Sequence, residues 1–115
     1  MSSLLDQRIA LVTGGTVGIG RGIAEVLRTH GANVIVTGVA EDECAEAREL
    51  GFDAVVLDVR DRTACQSVVD DVVAKYGGLS VLAANAGVYP QTPLRELDDD
   101  EIDFIFNVNV KGTIH

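Results

Sequence analysis

The chain has 115 residues and carries 9 Lys and Arg against 18 Asp and Glu, which leaves a formal net charge of −9. This balance argues against a nucleic-acid-binding protein, because phosphate backbones are held by clustered cations. Hydrophobic residues make up 47% of the chain and charged residues 23%, ordinary globular values that argue against disorder. We expect one domain over residues 1–115, because a chain of this length builds a single modest core.

The sequence carries only weak signals for secretion or membrane insertion. Residues 1–8 include an Asp and lack the apolar stretch of a signal peptide, and no apolar run approaches the ~20 residues that cross a bilayer. We therefore expect a cytoplasmic protein with no membrane partner.

Cys44 and Cys65 stand apart without a nearby His, which favours buried thiols over a zinc site or a disulfide. Six acids lie within residues 96–103; we interpret them as a helix start and a solvated face, and expect no metal.

Short buried-strand patterns alternate with helical stripes along the chain. The pattern predicts strands at residues 9–13, 33–37, 54–57 and 79–84. It predicts helices after each strand, the second over residues 41–50 and the last still running at residue 115. Apolar residues recur at helical spacing in the first helix, namely Ile19, Ile23, Val26 and Leu27. Four strands joined by helices are typical of right-handed βαβ crossovers, so the sequence predicts an α/β fold with a doubly wound parallel sheet.

Two helix starts carry capping signals. Thr63 and Gln66 stand three residues apart as a capping box for the third helix, although Asp61 could equally begin it. Asp98 and Glu101 form the same pattern before the last helix. These signals predict where the third and fourth helices begin.

A glycine-rich turn follows the first strand, where residues 13–20 read TGGTVGIG. Glycines at 14, 18 and 20 would allow a tight turn, close approach of a diphosphate and close packing of the helix on the sheet. The free N–H groups of the first helical turn and the helix dipole then favour an anion, and no basic side chain is needed. Glycines that serve only packing are the alternative explanation of this turn.

The spacing of these glycines differs from G-x-G-x-x-G and resembles the TGxxxGxG motif of the short-chain dehydrogenase/reductase family. Asp58 and Val59, after the third strand, look like the family's adenine-binding pair, although an Asp there is ordinarily a turn residue. Asn85 to Gly87 look like the family's NAG motif, which borders the nicotinamide ribose. The family usually has Asn before this motif, whereas here the position is Ala84.

The stretch VNVKG, residues 108–112, resembles the family's fourth-helix motif. The resemblance implies that Asn109 belongs to the catalytic tetrad and holds a water of the proton relay through a local break in the helix. Taken alone, Asn109 would be interpreted as a polar residue on the solvated side of a helix. Four motifs in the family's order favour the functional interpretation.

The resemblance implies a Rossmann-like sheet, incomplete in this chain, with strand order 3-2-1-4, and the cofactor-binding half of a single-domain reductase. It implies NAD or NADP as cofactor, interconversion of a carbonyl and a secondary alcohol in a small-molecule substrate, and a homo-oligomer, dimer or tetramer, when full length. The implied cofactor-binding residues are Gly14, Thr16, Val17, Gly18, Ile19, Gly20, Gly38, Val39, Asp58, Val59, Asn85, Ala86 and Gly87.

The family's catalytic Ser and Tyr-x-x-x-Lys are missing from the sequence. Tyr76 is followed four residues later by Ser80, and Tyr89 by Pro93, so neither tyrosine replaces the motif. We therefore expect a truncated reductase that is inactive as given. A non-catalytic dinucleotide-binding sensor or an inactive partner subunit is the alternative, and a methyltransferase of similar fold fits less well because it has no use for the glycine spacing.

The choice between NAD and NADP stays open at the sequence level. An acid at the end of the second strand holds ribose hydroxyls and a cation holds the extra phosphate, but Gly38 and Val39 are neither. Glu41 and Asp42 lie close in sequence and would disfavour a phosphate, whereas Arg21 could swing toward one.

Overall fold

The computed structural model of the protein describes residues 4–89 and 91–115. Residues 1–3, part of the stretch expected to lack a signal peptide, and Pro90 lie outside the described residues. The strands are β1 (Ile9–Thr13), β2 (Asn33–Gly38), β3 (Asp53–Val56) and β4 (Val81–Ala84). The helices are α1 (Gly18–Thr29), α2 (Glu41–Glu49), α3 (Arg62–Tyr76), α4 (Asp99–Phe106) and a last turn, α5 (Gly112–Ile114). A 3-10 turn (Leu94–Glu96) precedes α4, and a π-helical segment (Asn107–Lys111) joins α4 to α5.

The four strands form one parallel sheet in the order β3-β2-β1-β4, which confirms the order implied by the family resemblance. Leu11 in the middle of β1 lies opposite Ile35 of β2 and Leu82 of β4. The chain reverses its direction of winding between β1 and β4, because β2 and β3 lie on one side of β1 and β4 lies on the other. In such sheets, ligands bind at the carboxyl ends of the strands beside this reversal.

Two apolar cores lie on opposite faces of the sheet. Alternate residues of β1 supply both, with Ala10 and Val12 in the core that includes Ala24 of α1, and Ile9 and Leu11 in the other. The second core also contains Val68 and Val72 of α3 and Val108 of the π-helical segment. Buried strands with helices on both faces are the doubly wound architecture that the continuous apolar runs predicted. Cys44 and Cys65 are buried free thiols, as expected.

The start of α3 differs from the capping-box prediction. The side chain of Asp61 accepts a hydrogen bond from the Ala64 N–H and caps the helix, whereas Thr63 lies inside its first turn. The capping box of Thr63 and Gln66 was therefore wrong, because the earlier acid is already in position to satisfy a free N–H group. The start of α4 is confirmed, since the Asp98 carboxylate accepts from the N–H of Glu101 at 2.8 Å.

The face that α1 presents to the sheet is narrower than its apolar stripe predicted. Gly20 and Ala24 are buried, whereas Ile19 is 80% and Val26 59% exposed. Small residues at the contact allow α1 to approach the sheet closely, which turns part of the stripe away from the core. No helix within the described residues combines the length and the apolar character needed to span a membrane.

Candidate functional site

The glycine-rich turn joins the carboxyl end of β1 to the start of α1. Gly14 and Gly18 have φ angles of 65° and 59°, a left-handed conformation that favours glycine. The N–H of Gly15 donates to the Thr37 carbonyl of β2 at 3.0 Å. At Gly20, an added Cβ would overlap the Gly14 carbonyl oxygen, so this glycine allows α1 to rest directly on the turn.

Hydrogen bonds from the end of β4 hold this turn in place. The N–H groups of Asn85 and Ala86 both donate to Thr13 Oγ1, at 3.1 and 3.2 Å. The side-chain amide of Asn85 donates to the carbonyl of Gly14 at 3.3 Å. Thr13 and Asn85 thereby fix the two strand ends that flank the reversal in the sheet. Thr13 was not among the predicted site residues, although it stands first in the TGGTVGIG stretch.

At the end of β2, Thr16 fills the space beside Gly38. Thr16 is 3% exposed, and a Cβ added at Gly38 would lie 2.5 Å from its Oγ1. The Thr16 hydroxyl donates to Oε2 of Glu43, in the first turn of α2, at 3.2 Å. Glu43 lines the cleft together with Val39. An acid therefore reaches this corner from α2 rather than from β2.

Glu41 and Arg21, two of the charged residues that the sequence brought into question for this corner, form ion pairs outside the cleft. Glu41 forms an ion pair with Arg48. Arg21 lies 3.5 Å from Glu25 and 3.6 Å from Glu46. Neither Glu41 nor Asp42 lines the cleft, and their effect on a bound phosphate stays a prediction.

At the end of β3, Arg60 holds the side chain of Asp58. Its Nε lies 3.0 Å from both carboxylate oxygens, and Nη2 lies 2.6 Å from Oδ2. These bonds hold the pKa of the Asp58 carboxyl below its usual value. The guanidinium of Arg60 also lies 4.9 Å from the ring centroid of Phe104, in α4. Arg60 is not among the residues that the sequence predicted for the site, since nothing in its spacing distinguishes it from a surface residue.

Asn109 lies in the π-helical segment and bridges to the loop after β4. Its Oδ1 accepts from the N–H of Val88 at 2.8 Å, and its Nδ2 donates to the Val88 carbonyl at 2.7 Å. Gly87 lies beside this bridge, and a Cβ there would be 3.3 Å from Asn109 Oδ1. Single π-helical turns inside α-helices often mark functional sites. The helix therefore departs from α geometry at the residue that the resemblance implied to be catalytic.

These strand ends and helix starts surround one cleft of about 980 Å³. The structure brings every predicted cofactor-binding residue to its wall, as well as Asn109. The wall also contains residues outside the predicted cofactor-binding set, namely Glu43, Leu57, Arg60, Ala84, Val88, Tyr89, Phe104, Val108 and Thr113. The volume is at the upper end for sites that take small molecules and cofactors.

The two tyrosines lie in different parts of the molecule. Tyr89 is 83% exposed at the wall of the cleft. The Tyr76 hydroxyl instead donates to Asp53 Oδ2 at 2.9 Å, where Lys75 also binds. Tyr76 therefore has a structural role beside β3. No cluster of His, Cys, Asp and Glu suited to a metal ion occurs in residues 4–89 and 91–115.

Strand order and the position of the cleft define a doubly wound α/β chain of the Rossmann type. The sequence model of a family described as short chain dehydrogenase matches residues 8–115. A diacetyl reductase that forms (S)-acetoin, from Staphylococcus epidermidis, is 34% identical over 114 residues, which cover 94% of this chain and 44% of that protein. An L-2,3-butanediol dehydrogenase from Corynebacterium glutamicum is 38% identical over 112 residues, which cover 90% of this chain and 43% of that protein.

Among solved structures, a short chain dehydrogenase from Burkholderia cenocepacia in complex with NADP is 38% identical to this chain, with a TM-score of 0.81. The match covers 96% of this chain and 48% of that one. The chain therefore belongs to the short-chain dehydrogenase/reductase family of oxidoreductases. It spans less than half the length of the curated relatives that it matches.

Proposed function

We propose that this chain forms the NAD(P)-binding part of a reductase that interconverts a carbonyl and a secondary alcohol. One observation carries the proposal: the first turn of α1 opens onto the cleft with no side chain capping it. Val17 at the N-cap makes no side-chain hydrogen bond, unlike the capping acids of α3 and α4. The first N–H groups of a helix have no intrahelical acceptor, and they attract a diphosphate together with the helix dipole.

The space in front of α1 fits such a ligand. A Cβ added at Gly18 would meet no atom within 4 Å, although the residue lines the cleft. Glycine therefore keeps open a volume that any other residue would reduce. This open volume, the left-handed φ at Gly18 and the uncapped helix together support a diphosphate cradle.

The other walls support contacts along an extended dinucleotide. We expect the Asp58 carboxylate and the Val59 backbone to contact the adenine, and the corner at Thr16 to contact its ribose. Asn85 to Gly87 would border the nicotinamide ribose at the opposite end. When bound, NAD(P) supplies the hydride donor or acceptor. The residues of this chain would bind, orient and surround the dinucleotide.

Asn109 is proposed as the member of the catalytic tetrad on this chain. Its side chain is engaged with Val88, so we expect its main chain, in the π-helical segment, to position a water of the proton relay. The Ser and the Tyr-x-x-x-Lys of that relay would lie beyond His115. We propose that the chain is the first part of a longer protein, called the complete protein below, and that these 115 residues alone are inactive.

The proposal includes finer features that follow from the family. A cytoplasmic homo-oligomer, dimer or tetramer, acting on a small carbonyl or alcohol is expected of the complete protein. The names of the diacetyl reductase and the butanediol dehydrogenase support this substrate class. Sedimentation velocity measures the oligomeric state, and a panel of small ketones and secondary alcohols tests the substrate class.

The central experiment is a titration of the complete protein with NADH and NADPH, followed by dihydronicotinamide fluorescence. At least one dinucleotide should bind, and Gly18→Val should weaken binding by about a hundredfold or more, because its side chain enters the cradle. Gly22→Ala is the matched control, since a Cβ there also meets open space but the residue does not line the cleft. Unchanged affinity in Gly18→Val contradicts the proposed cradle.

The sequence that follows His115 separates the reductase from the non-catalytic alternative. A Ser followed by Tyr-x-x-x-Lys within about fifty residues supports the enzyme. If dinucleotide binds but this motif is missing and turnover is not detected, the sensor or inactive subunit is the better explanation.

A further inference from the structure

One corner of the cleft is formed where the end of β2 meets the glycine-rich turn and the start of α2. In Rossmann folds, the residue at the end of this strand contacts the adenosine ribose. An acid there binds the 2′-hydroxyl of NAD, whereas a nearby cation accommodates the 2′-phosphate of NADP. Here Gly38 has no side chain and Val39 is apolar and 71% exposed, so neither residue can distinguish NAD from NADP.

The structure also explains why no acid stands at position 38. A Cβ at Gly38 would lie 2.5 Å from Oγ1 and 2.8 Å from Cγ2 of Thr16. Thr16 is almost completely buried, so it has little freedom to move away. The space that an aspartate would occupy at position 38 is therefore already filled.

Thr16 connects this filled position to another carboxylate. Its hydroxyl donates to Glu43 Oε2 at 3.2 Å, which fixes the orientation of the acid at the wall of the cleft. A Cβ at Gly38 would lie 2.5 Å from Thr16 Oγ1, and Thr16 Oγ1 lies 3.2 Å from Glu43 Oε2. The distance from that Cβ position to Glu43 Oε2 is therefore no greater than the sum of these two distances. Glu43 thus brings a negative charge to the region where an acid on β2 would have brought it.

Positive charges near this corner are already paired. Arg21 binds two glutamates of α1 and α2, and Arg60, the cation in the cleft wall, binds Asp58. Within residues 4–89 and 91–115, Glu43 forms no ion pair with Lys or Arg. The corner therefore presents a carboxylate that is not neutralised and offers no cation to a phosphate.

We propose that Glu43 determines the cofactor preference of this site: it accepts a hydrogen bond from the adenosine 2′-hydroxyl of NAD and repels the 2′-phosphate of NADP. The inference rests on the proposed dinucleotide function. It goes beyond the family relationship, because the solved relative from Burkholderia cenocepacia is in complex with NADP. Thr16 is the positioning residue that holds the carboxylate in the cleft.

The test measures equilibrium binding of NADH and NADPH to the complete protein by dihydronicotinamide fluorescence. We expect the wild type to bind NADH at least about tenfold more tightly than NADPH, because a charged hydrogen bond is gained and a like-charge contact avoided. Glu43→Gln should weaken NADH binding about tenfold and leave NADPH binding unchanged or stronger. Glu43→Arg should reverse the preference, since it supplies the missing cation.

Asp42→Asn is the matched control. It removes the same charge from the same helical turn, but Asp42 is exposed and does not line the cleft, so the preference should stay within about twofold of the wild type. Far-UV circular dichroism of each variant verifies that the fold is retained. An equal effect of Asp42→Asn would mean that the overall charge of α2, and not the position of the Glu43 carboxylate, sets the preference between NADH and NADPH.

The outcomes also separate this inference from the proposed function. If neither dinucleotide binds the wild type, the proposed function fails and the inference fails with it. If dinucleotides bind with equal affinity, or Glu43→Gln weakens both by the same factor, the site stands but Glu43 does not choose the cofactor.

Discussion

The close contact between α1 and the glycine-rich turn predicts that Gly20→Ala destabilises the protein. At an ordinary helical position the change would stabilise the helix by roughly 1 kcal/mol, because alanine has the higher helix propensity. Here the new Cβ would overlap the Gly14 carbonyl, 2.8 Å from its carbon, and would lie 2.5 Å from Nδ2 of Asn85. Such overpacking costs about 1–3 kcal/mol, and displacing Asn85 endangers its hydrogen bond to Gly14, which is worth about 1 kcal/mol. We expect a net loss of about 1–3 kcal/mol in the free energy of unfolding.

Urea unfolding of the complete protein, followed by far-UV circular dichroism, measures this loss as a lower midpoint with an unchanged slope. Gly22→Ala, in the same helix but facing open space, is the control and should be neutral or stabilising. Equal stability of the Gly20→Ala and Gly22→Ala proteins would refute the reasoning, because it would mean that α1 does not need to rest on the turn.

Three further changes test other contacts. Gly38→Ala should destabilise the protein by about 1–3 kcal/mol, and the loss should be smaller in a Thr16→Ala background; a double-mutant cycle with zero coupling would contradict the clash. Although burial opposes the shift, hydrogen bonds from a lysine and a tyrosine of α3 lower the pKa of the Asp53 carboxyl. The contribution of Asp53 to the free energy of unfolding is therefore complete above the unfolded-state pKa of about 3.9, and it is lost as the pH falls through the folded-state pKa. Unfolding measured from about pH 6 to 2 should therefore lose less stability in Asp53→Asn than in the wild type, and parallel profiles would disprove this. Asn109→Ala should speed hydrogen exchange of the Val88 amide by roughly tenfold, as expected for one lost hydrogen bond, and unchanged protection would show that the bridge is not formed in solution.

The sequence by itself determined the order of the four strands and of the four main helices, and the position of the glycine-rich turn. Continuous apolar runs, glycines that end helices and the acid at Asp98 are signals carried by neighbouring residues, so no distant contact is needed to interpret them. The motif resemblance added the strand order and the set of residues around the cleft. Its glycines could be identified in advance because each is required by a backbone angle or a close approach, as at Gly18 and Gly20.

Only the tertiary structure decided which charged side chains reach the cleft. Three acids open α2, and the sequence favoured Glu41 and Asp42, yet Glu43 is the one that faces the site. Burial of Cys44 and Ala47 against the sheet sets the rotation of this helix about its axis, and each residue advances that rotation by about 100°. The direction of a charged side chain therefore depends on how distant apolar residues pack, which its neighbours in the sequence do not specify.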